Sequence, residues 1–385
     1  MADEVVLGLI GCGGMMGAHA RGYKALWDAG LRDFRVAATC DIDPARADKL
    51  AADIAEFQGH KPTPYTDFRR MLDAEPALDA CDLSLVHRDH HRIAIPCLQA
   101  GKHVTIEKPL AITCRAAQAI LDAAARAGRI LQTAENYRRS PDNRAIRWAL
   151  DHGRIGTTRL LYWISVHERV WYWAWREHRD LAGGGWTMDG GVHFADLFRY
   201  HIDEVESLYA ASRIHNPIRY RDRERMANPI QVTVEDTTSC VLEFANGVSG
   251  SWLESNIAPG AGFGQRAVYG SEGSLTWGAG LQTRTETITM EELTKQHQAT
   301  IGPEGMEALF PRGVTDTVAT ELWEFIQTIK GQATLETDGT EGLKALAICM
   351  SVYESSARHE PVEVAAVERC EIETYQADLN EAAGV

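Results

Sequence analysis

No run of roughly 18 apolar residues occurs anywhere in this 385-residue chain, so nothing in it reads as a membrane-spanning helix. No CxxC pair occurs either. The eight cysteines stand singly at 12, 40, 81, 97, 114, 240, 349 and 370. Most fall in apolar patterns, which predicts buried thiols in a reducing compartment and no disulfide framework. Positive charge is scarce: 39 lysines and arginines face 54 acids, a net charge of −15. That balance argues against nucleic acid and anionic membranes as partners. There is no HExxH, and His87, His90 and His91 cluster without cysteines at ligand spacing, so no metal site is expected. The opening MADEVV is acidic and lacks the basic and apolar stretches of a secretion signal, which predicts a cytoplasmic protein. No internal repeat or low-complexity linker is visible. What remains is an ordinary soluble composition, 45% apolar, long enough for two or three domains with a large core.

The densest information lies at VVLGLIGCGGMMG (5–17), an apolar run broken by glycines. It reads as a buried strand, a tight turn over Gly11, Gly13, Gly14 and Met15, and a helix from Met16 to Gly30. Glycines let the backbone approach a pyrophosphate, and the free N–H groups of the helix start attract its charge. A second strand, 34–40, ends at Asp41, 24 positions after Gly17 and near the usual offset of about 20 for a ribose-binding acid. Asp41 would accept from both ribose hydroxyls and repel a 2′-phosphate. The following Ile42, Asp43 and Pro44 offer no cation, so the cofactor reads as NAD over NADP.

Strands and helices alternate as far as residue 128: helices at 45–57, 91–100 and 116–127, strands at 83–86 and 102–106. This predicts an α/β domain, 1–128, with a doubly wound parallel sheet. A further strand is read at 130–134. Beyond about residue 155, strands follow one another with hairpin signals such as Asn246-Gly247. A second α/β domain, 129–385, is expected, with a large open and mostly antiparallel sheet and closing helices at 317–330 and 341–358.

Two motifs carry chemistry. Glu107-Lys108-Pro109 ends the fifth strand, and ligands of open α/β sheets lie beyond the carboxyl ends of strands. Lys108 alone is an ordinary surface residue; the proline sharpens its aim. GGGWTMDGGVH (183–193) sets Asp189 and His193 four apart, on one face of a helix starting near Asp189, with glycines leaving room for a substrate. Between the motifs, Trp171, Tyr172, Trp173 and Trp175 adjoin Arg176 and His178. They suit stacking on a sugar and gripping an anion, or equally a subunit interface.

The chain resembles the glucose–fructose oxidoreductase/inositol dehydrogenase family of NAD(P)-dependent sugar oxidoreductases. The resemblance rests on VVLGLIGCGGMMGAHA, Asp41, AGKHVTIEKPLA (100–111), ENYRRSP (135–141), GGGWTMDGGVHFADL (183–197), GSEGSL (270–275) and TEGLKALAICMSVYESS (340–356). It covers nearly the whole chain. It implies a Rossmann domain, a second domain whose open sheet builds homodimers or homotetramers, and a catalytic trio of Lys108, Asp189 and His193. It brings His87, His90, Glu107, Lys108 and Asn136 to the cofactor, and Tyr137 to the substrate beside the aromatic segment. Two positions depart from the family pattern. Gly17 stands one place later than the last glycine of G-x-G-x-x-G, so either the loop carries an extra residue or the helix starts differently. Leu85, Val86 and His87 replace the usual Thr-Pro-Asn.

The trio suits hydride transfer from a secondary alcohol of a sugar, sugar derivative or cyclitol. His193 would be the base and Lys108 the stabiliser of alkoxide charge, although a cationic nicotinamide makes Lys108 a rival for the base. Two other readings stand beside it. One is an NAD-dependent glycosidase that oxidises C3, eliminates the aglycone, adds water and re-reduces. The other is a non-catalytic NAD(H) sensor, against which the intact trio argues.

Overall fold

A computed structural model describes residues 4–169, 174–222 and 224–385. The chain divides into two compact units. The first comprises residues 1–111, 116–140 and 303–342, the second 112–115, 141–302 and 343–385. This differs from a single cut after residue 128, because the sixth strand pairs with the fifth and a late helix returns to the first core.

The first unit holds a six-stranded parallel sheet of order β3-β2-β1-β4-β5-β6. Its strands are β1 (Val5–Ile10), β2 (Phe34–Cys40), β3 (Thr63–Tyr65), β4 (Ala80–Leu83), β5 (His103–Glu107) and β6 (Leu131–Ala134). β1 is buried along its whole length, as a central strand covered on both faces must be. The helices are α1 (Gly14–Asp28), α2 (Pro44–Gln58), α3 (Phe68–Ala74), α4 (His90–Gln99) and α5 (Cys114–Ala127). Asp43 caps α2 by accepting from the Ala45 N–H, with proline at the first turn, and Gly59 closes it in the left-handed region at φ +74°.

In the second unit, α6 (Pro141–Asp151), α7 (Arg179–Ala182), α8 (Trp186–Asp189) and α9 (Gly191–His201) accompany a nine-stranded sheet of order β16-β15-β14-β13-β7-β12-β11-β8-β17. Its strands are β7 (Thr158–Val166), β8 (Val205–Arg213), β11 (Thr237–Phe244), β12 (Ser249–Ser255), β13 (Phe263–Gly270), β14 (Gly273–Thr276), β15 (Gly280–Thr283), β16 (Thr287–Thr289) and β17 (Val362–Glu363). The short β9 (Ile218–Arg219) and β10 (Ile230–Gln231) pair separately. β7 and β12 run parallel and every other pairing of the large sheet is antiparallel. Burial alternates strictly along β11, with Cys240, Leu242 and Phe244 inward and Val241 outward. A helix broken at Gly302, α10 (Met290–Leu309), leads to α11 (Thr317–Ile329) and α12 (Gly339–Arg358). α11 belongs to the first core: Leu322, Phe325 and Ile326 lie in one cluster with Leu7, Leu9, Tyr23 and Phe34.

The strand read at 83–86 lies three residues earlier, at 80–83. The strands read at 34–40 and 130–134 are present, the second as Leu131–Ala134.

Candidate active site

In the first unit the glycine turn is built as the sequence demands. Gly11 sits at φ +87°, and a Cβ there would lie 2.1 Å from the Ser84 carbonyl oxygen. Gly13 and Gly14 face open space, with nothing within 4 Å of an added Cβ. α1 starts at Gly14, and its Gly13 N-cap provides no side-chain hydrogen bond. The departure from the family's last glycine resolves here. Met16, at that position, is fully buried in the core, so it fills the space a third glycine leaves for close helix packing.

Asp41 follows β2. Its Oδ2 accepts from the Cys12 N–H at 2.7 Å and its Oδ1 from the Asp43 N–H at 2.8 Å. A carboxylate has about four acceptor sites, so capacity remains for a ribose diol. Ile42 beside it is 93% exposed, and Arg46, a turn away, pairs with Asp43 at 3.4 Å. An open glycine turn at a helix start, followed by an acid with spare lone pairs, fits NAD. These residues would hold its pyrophosphate and adenosine ribose.

Glu107 ends β5 and is buried; Lys108 follows, half-buried, in a cis peptide bond to Pro109. His90 fastens this turn. Its Nδ1 lies 2.9 Å from the Pro109 carbonyl and its Nε2 3.3 Å from that of Leu85, and burial pushes its pKa down. A neutral ring donates once, so the shorter contact is the hydrogen bond. His87, also buried, meets His90 edge-on at 5.6 Å. Asn136 donates to the Thr317 hydroxyl at 2.7 Å, and Tyr137 is partly exposed.

In the second unit the Asp189–His193 pair does not share one helix. Asp189 ends α8 and His193 lies in the first turn of α9, with Gly190 between. Both are more than nine-tenths buried. Asp189 Oδ1 accepts from Arg176 Nε at 2.9 Å. The Arg169 guanidinium lies 4.3 Å over the Trp186 ring, and that of Arg176 4.5 Å over Trp175. Arg169, Arg176, Trp186, Asp189, Arg219 and Asn256 line one small cavity. The His178 backbone N–H donates to the Trp175 carbonyl at 3.1 Å. Trp171, Tyr172 and Trp173 lie outside the described residues.

The glycines of 183–191 do not leave room for a substrate. A Cβ on Gly184 would lie 2.2 Å from the Tyr353 hydroxyl, one on Gly185 2.6 Å from the Glu235 carbonyl, and one on Gly191 2.6 Å from the Trp252 ring. They are small because protein packs against them. Sequence reasoning also missed Glu235, a buried carboxylate that accepts from the Gly185 and Thr187 N–H groups and the Tyr353 hydroxyl. It missed a cluster in the first unit as well, where His19 Nε2, Glu107 and Glu321 converge within 4.8 Å. Their separation in the chain hid both.

The fold and the glycine turn together define a dinucleotide-binding oxidoreductase. Residues 5–135 match the family described as "Oxidoreductase family, NAD-binding Rossmann fold", and residues 143–276 the "GFO/IDH/MocA C-terminal domain". An inositol 2-dehydrogenase 2 from Saccharopolyspora erythraea is 31% identical over 67% of this chain and 68% of its own. A levoglucosan dehydrogenase from Pseudarthrobacter phenanthrenivorans is 26% identical over 93% of this chain and 97% of its own. Among solved structures, a levoglucosan dehydrogenase in complex with NADH and L-sorbose superposes with a TM-score of 0.76 at 24% identity, covering 94% of this chain and 100% of that one. The chain belongs to the GFO/IDH/MocA family. It is an oxidoreductase, and NAD is its cofactor.

Proposed function

We propose that this protein oxidises a secondary hydroxyl of a sugar, sugar derivative or cyclitol. The observation that carries the reading is Lys108, held immediately beyond the last residue of β5 at the carboxyl edge of a parallel dinucleotide-binding sheet, in a turn fastened by His90. NAD, when bound, supplies the hydride acceptor. Lys108 donates a hydrogen bond to the reacting oxygen and stabilises the charge that develops there. His193 takes the hydroxyl proton. Asp189, paired with Arg176, orients the substrate through a second hydroxyl; the Arg176 contact makes this role a better fit than fixing the histidine tautomer. His87, His90, Glu107 and Asn136 support the cofactor, while Tyr137, Trp175, Arg176 and His178 line the sugar. Similarity to an inositol 2-dehydrogenase and a levoglucosan dehydrogenase supports this substrate class.

We further propose a homo-oligomer. One register line across the large sheet carries Tyr209, Val241, Ser251 and Tyr162, three of them large and exposed, with Leu160 and Phe263 beside them on the same face. An apolar face of this extent suits a second copy.

The test is turnover of neutral and anionic sugars, cyclitols and glycosides, followed by proton NMR in D2O. A ketosugar formed in proportion to added NAD is expected. Lys108→Ala and His193→Asn should each lower kcat by about 100-fold or more while sparing NAD binding. Undiminished turnover in Lys108→Ala overturns the assignment. Aglycone release with deuterium at C2 overturns the simple dehydrogenase in favour of redox-neutral hydrolysis.

A further inference from the structure

Beneath the carboxyl edge of the parallel sheet lies a buried polar cluster drawn from four elements. His19 of α1 is fully buried. Its Nδ1 lies 2.9 and 3.0 Å from the two carboxylate oxygens of Asp82 on β4, and its Nε2 lies 2.9 Å from Glu107 Oε1 at the end of β5. Tyr23, one turn further along α1, donates its hydroxyl to Asp82 at 2.9 Å. Glu321 of α11 is fully buried within 4.8 Å of His19 and Glu107, and neither of its carboxyl oxygens has a hydrogen-bond partner among the described residues.

A neutral imidazole carries one N–H and can satisfy one carboxylate. The other would then face a ring lone pair at 2.9 Å, buried in a low-dielectric interior. Two protons on the ring remove that conflict. Each carboxylate then accepts a charge-assisted bond, and the cation offsets one of the two buried negative charges. Burial works against this state, but the charges and hydrogen bonds of Asp82 and Glu107 hold the histidine well above its ordinary range. Burial pushes the Glu321 carboxyl up more strongly than Arg139 and His19 pull it down, and Glu107 and Glu135 add to the rise. The groups facing His19 are therefore Tyr23, Asp82, Glu107 and Glu321, with Arg139 and Glu135 behind them.

We propose that His19 is a positioning residue of the reaction, a buried imidazolium that clamps Glu107 and so fixes the aim of Lys108 from the helix that receives the pyrophosphate. The clamp joins α1, whose first turn holds the cofactor, to the strand end that carries the lysine. Its catalytic consequence rests on the reading of Lys108 given above; its protonation state does not.

The experiment has two arms. In the first, the full-length protein is labelled with 15N-histidine, and the His19 ring signals, assigned by their loss in His19→Gln, are followed from pH 6 to pH 9. Both ring nitrogens should bear protons throughout. An unprotonated Nε2, or a stoichiometric metal ion in the purified protein, overturns the imidazolium. In Glu107→Gln, which keeps size and fold, the same ring should titrate as a singly protonated histidine near neutral pH. In the second arm, His19→Gln should lower kcat by about tenfold or more and leave the NAD dissociation constant within about threefold, and Glu107→Gln should lower kcat to a similar extent. The double variant should be no worse than the weaker single. Additive losses, or an equal loss of NAD affinity in His19→Gln, overturn the positioning role. Lys108→Ala separates the two readings: if it retains full turnover the catalytic reading fails, whatever the ring signals show.

Discussion

Glu254 offers a quantitative test of how burial is balanced in the second unit. It lies on β12, opposite Ser165 of β7, and is 2% exposed. Trp252 Nε1 donates to its Oε1 at 3.2 Å. Burial pushes the carboxyl up from about 4.5 to about 7, against smaller lowering contributions from Trp252, Arg266, Ser165 and Trp186. An acid whose pKa is raised by folding binds its proton more tightly in the native state than in the unfolded chain. Its contribution is therefore most favourable below pH 4.5 and is lost as pH rises through 7. Between pH 5 and pH 8 the two titrations separate by nearly two units, which at about 1.4 kcal/mol per unit amounts to roughly 2 to 3 kcal/mol of stability lost. Glu254→Gln cannot ionise and removes that slope. The absolute stability of the variant also carries the cost of a new buried amide, so the comparison is the difference between the two pH values within each protein. Urea unfolding monitored by tryptophan fluorescence at pH 5, 6, 7 and 8 measures it. The wild type should lose roughly 2 to 3 kcal/mol more than the variant across this range. Parallel curves for the two proteins would refute the reasoning and show that Glu254 ionises freely in the folded state.

Three further outcomes are expected. Asp41→Ser, which removes the acid beside the glycine turn, should reduce the preference for NAD over NADP by about tenfold or more in steady-state kinetics; an unchanged ratio removes Asp41 from cofactor selection. Gly185→Ala drives a methyl against the Glu235 carbonyl and should cost about 2 to 4 kcal/mol in thermal unfolding, whereas Gly14→Ala meets nothing and should leave Tm unchanged. Val241→Asp, on the exposed sheet face, should yield monomers by light scattering from an oligomeric wild type; identical masses count against that face as the interface.

The parts legible in the sequence were those whose signal is local. β1 is a continuous apolar run, Gly11 occupies a backbone region that favours glycine, and Asp41 falls at the spacing a strand–helix–strand unit imposes. The misplacement of β4 has a physical cause. The true strand, Ala80–Leu83, contains Asp82, and a buried aspartate inside a strand reads as a surface residue until its partners are seen. Those partners, His19 and Tyr23, stand 63 and 59 positions away. Glu235 reads equally blandly within VTVEDTT, because the N–H groups it serves belong to a turn about 50 residues earlier. Asp189 and His193 were recognised by spacing, but their relation was misjudged, since four positions imply one helix face only if the helix is unbroken. The glycines around them signalled close approach correctly, and the approaching atoms proved to be the protein's own.

The return of α11 to the first core sets the order in which the protein can be completed during synthesis. Leu322, Phe325 and Ile326 seal apolar surface presented by β1, β2 and α1, and Ala319 touches the backbone at Gly22. A nascent chain therefore carries an open nucleotide-binding core while every strand of the large sheet except β17 is being made. The amino-terminal 140 residues are not a separable module: cut there, they expose the stripe that α11 covers and become prone to aggregation. Cofactor binding and the second unit are thus linked in time as well as in sequence, because the first unit closes only after residues 303–342 have emerged.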